Sequence, residues 1–137
     1  MGLILDSSIL IAGERRGETV KQVIERIHAA HGNIETALSA ISIIELTHGI
    51  YRARTGSIQL RRKVFVDELV RDMIVHPVSI AIAQLAGRIE GEQAAKGISI
   101  AFEDLVIGVT ALHLGFDVAT INVKHFQNIP GLNVVMI

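Results

Sequence analysis

Cysteine and tryptophan are absent from this chain of 137 residues. Without cysteine the protein has no disulfides, no thiolate nucleophile and no cysteine-ligated metal. Any metal ion must therefore be held by oxygen or imidazole ligands. Aromatic residues make up only 4% of the chain, which argues against a surface on which successive nucleic-acid bases stack.

An excess of charge of one sign is also absent. Thirteen Lys and Arg residues face 14 Asp and Glu, for a formal net charge of -1, so no overall basic field gathers nucleic acid. The longest stretch without a formal charge, residues 73–87, is too short and too interrupted by polar residues to span a bilayer. The N-terminus lacks the basic region and apolar core of a signal peptide. These features predict a cytoplasmic protein without a membrane segment.

The chain has ample apolar material for a core. Half of its residues are hydrophobic and its mean hydropathy is +0.45, values typical of a folded globular protein. The length fits one domain that spans residues 1–137.

Basic residues are concentrated in one segment, although the total charge is balanced. Six of the 13 lie within residues 52–71, which indicates either a local phosphate-facing surface or an ordinary solvated helix face. They are Arg52, Arg54, Arg61, Arg62, Lys63 and Arg71.

Short apolar runs alternate with helical patterns along the chain. Strands are predicted at residues 2–5, 36–41, 73–78, 117–121 and 132–136. Three helices are predicted by their starts, at residues 6–8, near Ser42 and at Ser79. Three more are predicted as ranges, at about residues 20–31, 60–70 and 102–114. This alternation predicts an α/β fold in which about five mainly parallel strands lie between layers of helices.

Polar residues follow several of the predicted strands. Asp6 ends the first strand, Glu45 lies in the helix after the second, and Asn122 follows the fourth; Asp104 begins the helix of residues 102–114. Ligands of such sheets bind at the carboxyl ends of the strands. We therefore expect these four side chains to converge on one pocket.

Each carboxylate has a simpler alternative explanation as a helix cap. Asp6 is a good N-cap residue, Glu45 completes a capping box with Ser42, and Asp104 complements a helix dipole. Three carboxylates brought together, however, repel one another unless a cation joins them. All-oxygen ligands favour Mg²⁺ or Mn²⁺, ions suited to phosphodiester hydrolysis.

Four motifs in order resemble those of the PIN-domain family, and most closely the VapC toxins of bacterial and archaeal toxin-antitoxin pairs. They are residues 5–8 (LDSS), residues 43–46 (IIEL) with Gly49 after them, residues 102–108 (FEDLVIG) and residues 119–126 (ATINVKHF). The segment IPGL at 129–132 resembles the usual ending of the family.

The resemblance implies a role for individual residues. Asp6, Glu45 and Asp104 would form the catalytic metal site, with Asn122 at a position where the family often has Asp. Ser8 and Thr120 would either orient the carboxylates or act as simple caps, and Glu103 is a lesser candidate beside Asp104. Independently of the resemblance, the spacing of His48 from Glu45 and of His125 from Asn122 would allow either histidine to border the pocket. The RNA backbone would be held by Arg52, Arg54, Arg61 and Arg62.

The implied function is a Mg²⁺- or Mn²⁺-dependent endoribonuclease that acts as a toxin. The resemblance further implies a homodimer and a cognate VapB-like antitoxin that blocks the RNA groove. We expect the antitoxin to bind between the helix after Ser42 and the segment that follows that helix. A PIN-fold module that binds RNA or protein without catalysis is the alternative. A receiver-like phosphoacceptor domain is disfavoured, because residues near His76 supply no acceptor Asp at the end of the third strand.

Overall fold

Strands and helices alternate along the chain, as the hydrophobic pattern predicts. The computed structural model describes all residues from 1 to 137. The strands are β1 (Gly2–Leu5), β2 (Glu35–Ser39), β3 (Ile74–His76), β4 (Asp117–Thr120) and β5 (Val134–Met136). The helices are α1 (Ser7–Arg15), α2 (Val20–His31), α3 (Ala40–Tyr51), α4 (Gly56–Asp72), α5 (Ile80–Ala94) and α6 (Phe102–Leu114), with a 3-10 turn at Val123–Phe126.

All five strands pair in parallel in the order β3-β2-β1-β4-β5. The chain builds outward from β1 to β3 and then returns to place β4 on the other side of β1. The strand order therefore reverses between β1 and β4, which is where sheets of this kind form a ligand crevice. The predicted α/β fold with a five-stranded parallel sheet is confirmed.

A separate apolar core lies on each face of the sheet. Side chains alternate between the faces of a strand, so Leu3 and Leu5 join one core and Ile4 joins the other. Helices α1, α2 and α4 cover the first face, whereas α5 and α6 cover the second. Helix α3 contributes to both cores, through Leu46 on one side and Ile41 on the other. The result is the three-layer arrangement that the sequence predicts.

The boundary between β2 and α3 differs from the prediction. The strand ends at Ser39 and the helix begins at Ala40, two residues before the predicted start at Ser42. The Ser39 side chain accepts a 3.3 Å hydrogen bond from the Ile41 N–H and so caps the helix. Ser39 and Ser42 are both possible caps within this otherwise apolar stretch, so the sequence does not distinguish the two starts. Glu45 consequently lies in the second turn of α3.

Several other boundaries differ by one to four residues, and the largest difference is the start of α4 at Gly56 instead of Leu60. β3 ends at His76 because Pro77 has no N–H for the strand pairing, β4 ends at Thr120, and β5 begins only at Val134. The predicted first strand and the predicted helix of residues 102–114 are confirmed. Helix α6 ends at Gly115, whose φ of 69° is left-handed. No helix has both the length and the apolar composition needed to cross a membrane.

Candidate active site

Asp6 lies directly after β1 and is the best-anchored acid of the site. Its side chain makes no capping hydrogen bond to α1, so the simple capping explanation is wrong. Instead, its Oδ2 atom accepts hydrogen bonds from the Ser8 hydroxyl at 2.7 Å and from the Thr120 hydroxyl at 2.8 Å. The carboxylate therefore joins the ends of β1 and β4, where the strand order reverses.

The two hydroxyls that hold Asp6 are themselves oriented by the backbone. Ser8 Oγ accepts from the Ile121 N–H at 3.3 Å, and Thr120 Oγ1 accepts from the Asn122 N–H at 2.9 Å. A hydroxyl has a single proton to donate. Because an ionised carboxylate can only accept, each hydroxyl directs its proton to Asp6 in these contacts. The two contacts are those that the predicted orienting role of Ser8 and Thr120 requires, and the role itself stays a prediction.

Glu45 extends from the second turn of α3 toward α1. Its Oε1 atom accepts a 3.0 Å hydrogen bond from the hydroxyl of Ser7. The alternative explanation as a capping box with Ser42 is wrong, because the Ser42 hydroxyl is buried without any hydrogen-bond partner. Glu45 therefore connects two helices and does not cap its own.

Asp104 and Glu103 occupy the first turn of α6. Asp104 is partly buried, whereas Glu103 is exposed. The Asp104 Oδ2 atom lies 3.6 Å from Nδ1 of His125, in the 3-10 turn after β4. The structure thus places Asp104 deeper in the site than its neighbour, with one oxygen beside an imidazole.

The three carboxylates share one pattern of contacts. In each, one oxygen faces a group of the protein, and the second oxygen has no protein donor. None of these second oxygens is fully buried. They are Oδ1 of Asp6, Oε2 of Glu45 and Oδ1 of Asp104. They are accessible to solvent, and each is therefore available to an external ligand.

The carboxylates influence one another through their charges. Burial raises the pKa of Glu45, and the charges of Asp6, Glu103 and Asp104 raise it further, against the lowering effect of the Ser7 hydrogen bond. Burial also raises the pKa of Asp104, and the charge of Asp6 adds to this effect while His125 opposes it. Such mutual repulsion is what a shared cation would relieve.

The donor set suits a hard divalent cation, although no three His, Asp or Glu side chains are gathered tightly enough to hold one ion by themselves. Mg²⁺ does not need such a cage, because it usually keeps several waters and binds through one or two carboxylates. The accessible second oxygens of Asp6, Glu45 and Asp104 fit that mode of binding.

Asn122 follows β4 at the rim of this crevice. Its backbone N–H is fixed by Thr120 Oγ1, while its side chain is exposed and makes no hydrogen bond. The contacts therefore give the residue a fixed backbone position and leave its amide free.

A cavity of about 450 Å³ opens beside Glu45, and we call it the arginine cleft. Its charged and polar lining consists of Arg15, Arg52, Arg54, Arg62, His48 and Glu45. Arg61, which the sequence groups with these arginines, lies elsewhere, because its Nε atom donates to Glu14 at 2.9 Å.

Two residues of this region were missed by sequence reasoning. Ser7 donates to Glu45, and Arg15 lines the arginine cleft. A signal for both exists in the sequence, because Ser7, Ile11 and Arg15 are spaced four residues apart and share one face of α1. Ile11 also lines the cleft, so this face of the helix is the one directed toward Glu45.

Comparison with known proteins identifies the family of this chain. The family model of the PIN domain matches residues 3–132. The chain belongs to the PIN-domain family. It is 30% identical to ribonuclease VapC1 of Rickettsia felis over its whole length and 97% of that relative.

Solved structures show the same fold as this PIN domain. VapBC2 of Rickettsia felis, solved with a DNA fragment from its promoter, superposes with a TM-score of 0.82 at 20% identity, covering 99% of this chain and 98% of the other. VapBC-5 of Mycobacterium tuberculosis, a member of the VapBC family of toxin-antitoxin systems, gives a TM-score of 0.72 at 23% identity, with coverage of 99% and 96%.

Proposed function

We propose that this PIN domain is a Mg²⁺- or Mn²⁺-dependent endoribonuclease that acts as the toxin of a toxin-antitoxin pair. The observation that carries the proposal is the contact pattern of Asp6, Glu45 and Asp104, each of which leaves one carboxylate oxygen accessible. Likeness to ribonuclease VapC1 supports RNA as the substrate. Cleavage of cellular RNA would take place in the cytoplasm.

The three acids would hold the divalent cation, which when bound lowers the pKa of water and offsets the charge of the scissile phosphate. Ser8 and Thr120 fix the angle of the Asp6 carboxylate through their hydroxyls, and Ser7 fixes that of Glu45. Positions held to this accuracy lower the cost of reorganisation during the reaction. Asn122 adds an uncharged polar group at the rim.

A cleavage assay tests the proposal directly. We expect the purified protein to cut RNA with Mg²⁺ or Mn²⁺ and to lose this activity in EDTA. Asp6→Asn, Glu45→Gln and Asp104→Asn should each lower cleavage by more than about 100-fold, because removal of groups that only support metal ligands already costs 10- to 100-fold.

Glu90→Gln is the matched control, since Glu90 is exposed on α5 and forms no ion pair. It should cleave like the unmodified protein. RNA binding without cleavage in any of these divalent metals would instead indicate the non-catalytic PIN-fold module.

The proposed partner is a VapB-like antitoxin, as the likeness to VapBC structures suggests. Tyr51 and Leu60 are 77% and 63% exposed and line a cavity of about 300 Å³ between α3 and α4. Such a surface fits the apolar face of an amphipathic helix. The resemblance to the VapC toxins also implies a homodimer, which sedimentation would detect.

Hydrogen exchange of the copurified complex tests this placement. A VapB-like antitoxin, sought in a small open reading frame immediately upstream, should protect the amides of α3 and α4. Protection confined to residues after Gly115 would place the antitoxin elsewhere.

A further inference from the structure

The positive charges of this protein are not distributed evenly once its ion pairs are counted. Seven of the 13 basic side chains lie within 4.0 Å of a carboxylate, and six form no ion pair. The six are Arg15, Arg52, Arg54, Arg62, Lys96 and Lys124. Four of these six line the arginine cleft, so uncompensated positive charge is gathered at one place on a chain whose formal charge is -1.

Helix ends do not account for this convergence. Arg15 ends α1 and Arg52 caps α3, where the helix dipole favours a cation. Arg62, however, lies within α4, and Arg54 lies in the loop before it. Three separate parts of the chain therefore direct arginines into one cavity without a common local cause.

One arginine of the cleft is already fixed in position. Nη1 of Arg62 donates a 2.7 Å hydrogen bond to the carbonyl of Gly49. This contact uses one of the five N–H donors of the guanidinium. The Arg62 side chain is thus held by the backbone of α3, and its other N–H donors remain for a ligand.

The cleft is continuous with the acidic site. Glu45 is its only carboxylate, and the same residue accepts the Ser7 hydrogen bond beside Asp6. An anionic chain that reaches the acidic site through this cleft would meet arginines first. Arg binds phosphate groups through a planar fork of donors, which gives both energy and orientation.

We propose that the arginine cleft binds the phosphodiester backbone of RNA on one side of the scissile bond, with Arg15 and Arg62 as phosphate contacts. The inference rests on the proposed ribonuclease function and extends it to a binding track. It adds Arg15 to the residues that sequence reasoning selected and assigns Arg61 a structural role. Because the contacts are to phosphates, this track reads no base sequence.

Binding of a fluorescent single-stranded oligoribonucleotide in EDTA tests the track without cleavage. Anisotropy is measured over a series of NaCl concentrations. Each phosphate contact to a single strand contributes about 0.7 to the slope of log affinity against log salt. Arg15→Ala and Arg62→Ala should each reduce the slope by about 0.7, which corresponds to about fivefold weaker binding at 0.1 M salt.

Arg88→Ala is the matched control, because it removes one exposed arginine from α5, away from the cleft. Its slope should equal that of the unmodified protein. An Arg15→Ala protein with an unchanged slope would overturn the binding track. If the unmodified protein still cleaves RNA in that case, the ribonuclease function stands alone; if it neither binds nor cleaves RNA, both proposals fail.

An acidic peptide distinguishes RNA from a protein ligand. Oligoglutamate should compete with RNA only weakly at the same salt concentration. If oligoglutamate binds more tightly than RNA, and Arg15→Ala weakens the peptide but not the RNA, the cleft is a protein-docking surface and the proposal is wrong.

Discussion

The hydroxyl of Ser7 donates a 3.0 Å hydrogen bond to Glu45, although 38 residues separate the two along the chain. The contact ties the first turn of α1 to the second turn of α3. Eight residues further along the same face of α1, Arg15 enters the arginine cleft. One short helix thus positions a proposed metal ligand at one end and a proposed phosphate contact at the other.

Removal of the Ser7 hydroxyl should alter the pH dependence of RNA cleavage. The hydrogen bond lowers the pKa of Glu45, so Ser7→Ala should raise that pKa and shift the acid limb of the activity profile to higher pH. Cleavage by Ser7→Ala should therefore fall on the acid limb and change little on the plateau at higher pH. Ser7→Thr keeps a hydroxyl and should restore the limb.

An unchanged acid limb in Ser7→Ala would show that Ser7 has only a structural role. Melting temperatures of both variants provide the control for folding, because Ser7 is 2% exposed.

The stability of the metal-free protein should depend on pH through Glu45. Its pKa is raised in the folded state, so folding favours the protonated form. The resulting stabilisation is fully present below the unfolded pKa of about 4.3 and is lost as pH rises through the folded value. In EDTA, the unfolding free energy of the native protein should therefore fall relative to Glu45→Gln as pH rises from 4 to 7.

Urea unfolding of the two proteins at each pH measures this difference directly. Both proteins contain the other titratable groups, so the contributions of those groups to the pH dependence of stability cancel in the comparison. Glu18 is one such group with the opposite effect, because its hydrogen bond to Arg26 lowers its pKa. A difference that does not vary with pH would contradict the raised pKa of Glu45, which burial and then the neighbouring acids cause.

Metal binding should stabilise the folded protein only when the carboxylates are intact. Excess Mn²⁺ at 100 times the dissociation constant should add about 2.7 kcal/mol. Asp104→Asn removes a negative charge beside Asp6, so in EDTA it should melt at or above the unmodified protein while losing most of the gain from Mn²⁺.

If Asp104 served only the dipole of α6, the same substitution would lower stability by about 0.3–1 kcal/mol both with and without metal. Melting curves in EDTA and in Mn²⁺ separate the two cases.

The strands and most helices could be predicted because apolar runs and capping residues encode them locally. β1 and α6 are recovered to the residue, since Asp6 and Gly115 mark their ends chemically. The start of α3 could not be placed, because Ser39 and Ser42 are both plausible caps and only tertiary packing leaves the Ser42 hydroxyl buried.

The partners of the acids were harder to predict than the acids themselves. Asp6 and Thr120 lie 114 residues apart and meet only because β1 and β4 are neighbours. Likewise, a cluster of arginines in sequence is not a cluster in space. Residues 61 and 62 are adjacent on α4, yet Arg62 lines the arginine cleft and Arg61 turns toward Glu14, as a step of about 100° around a helix requires.

Arg61 should matter for stability more than for RNA binding. Its partner Glu14 has a side chain only 8% exposed, and a carboxylate left buried without a donor is costly. Arg61→Ala should lower the unfolding free energy by about 1–3 kcal/mol, whereas its affinity for RNA should fall less than that of Arg15→Ala. Adding Glu14→Gln should recover part of the stability, because the unpaired charge is then removed. Arg61→Ala could instead keep full stability and weaken RNA binding as strongly as Arg15→Ala. The basic segment would then act as one RNA-binding surface, and the assignment of a structural role to Arg61 and an RNA-binding role to Arg62 would be wrong.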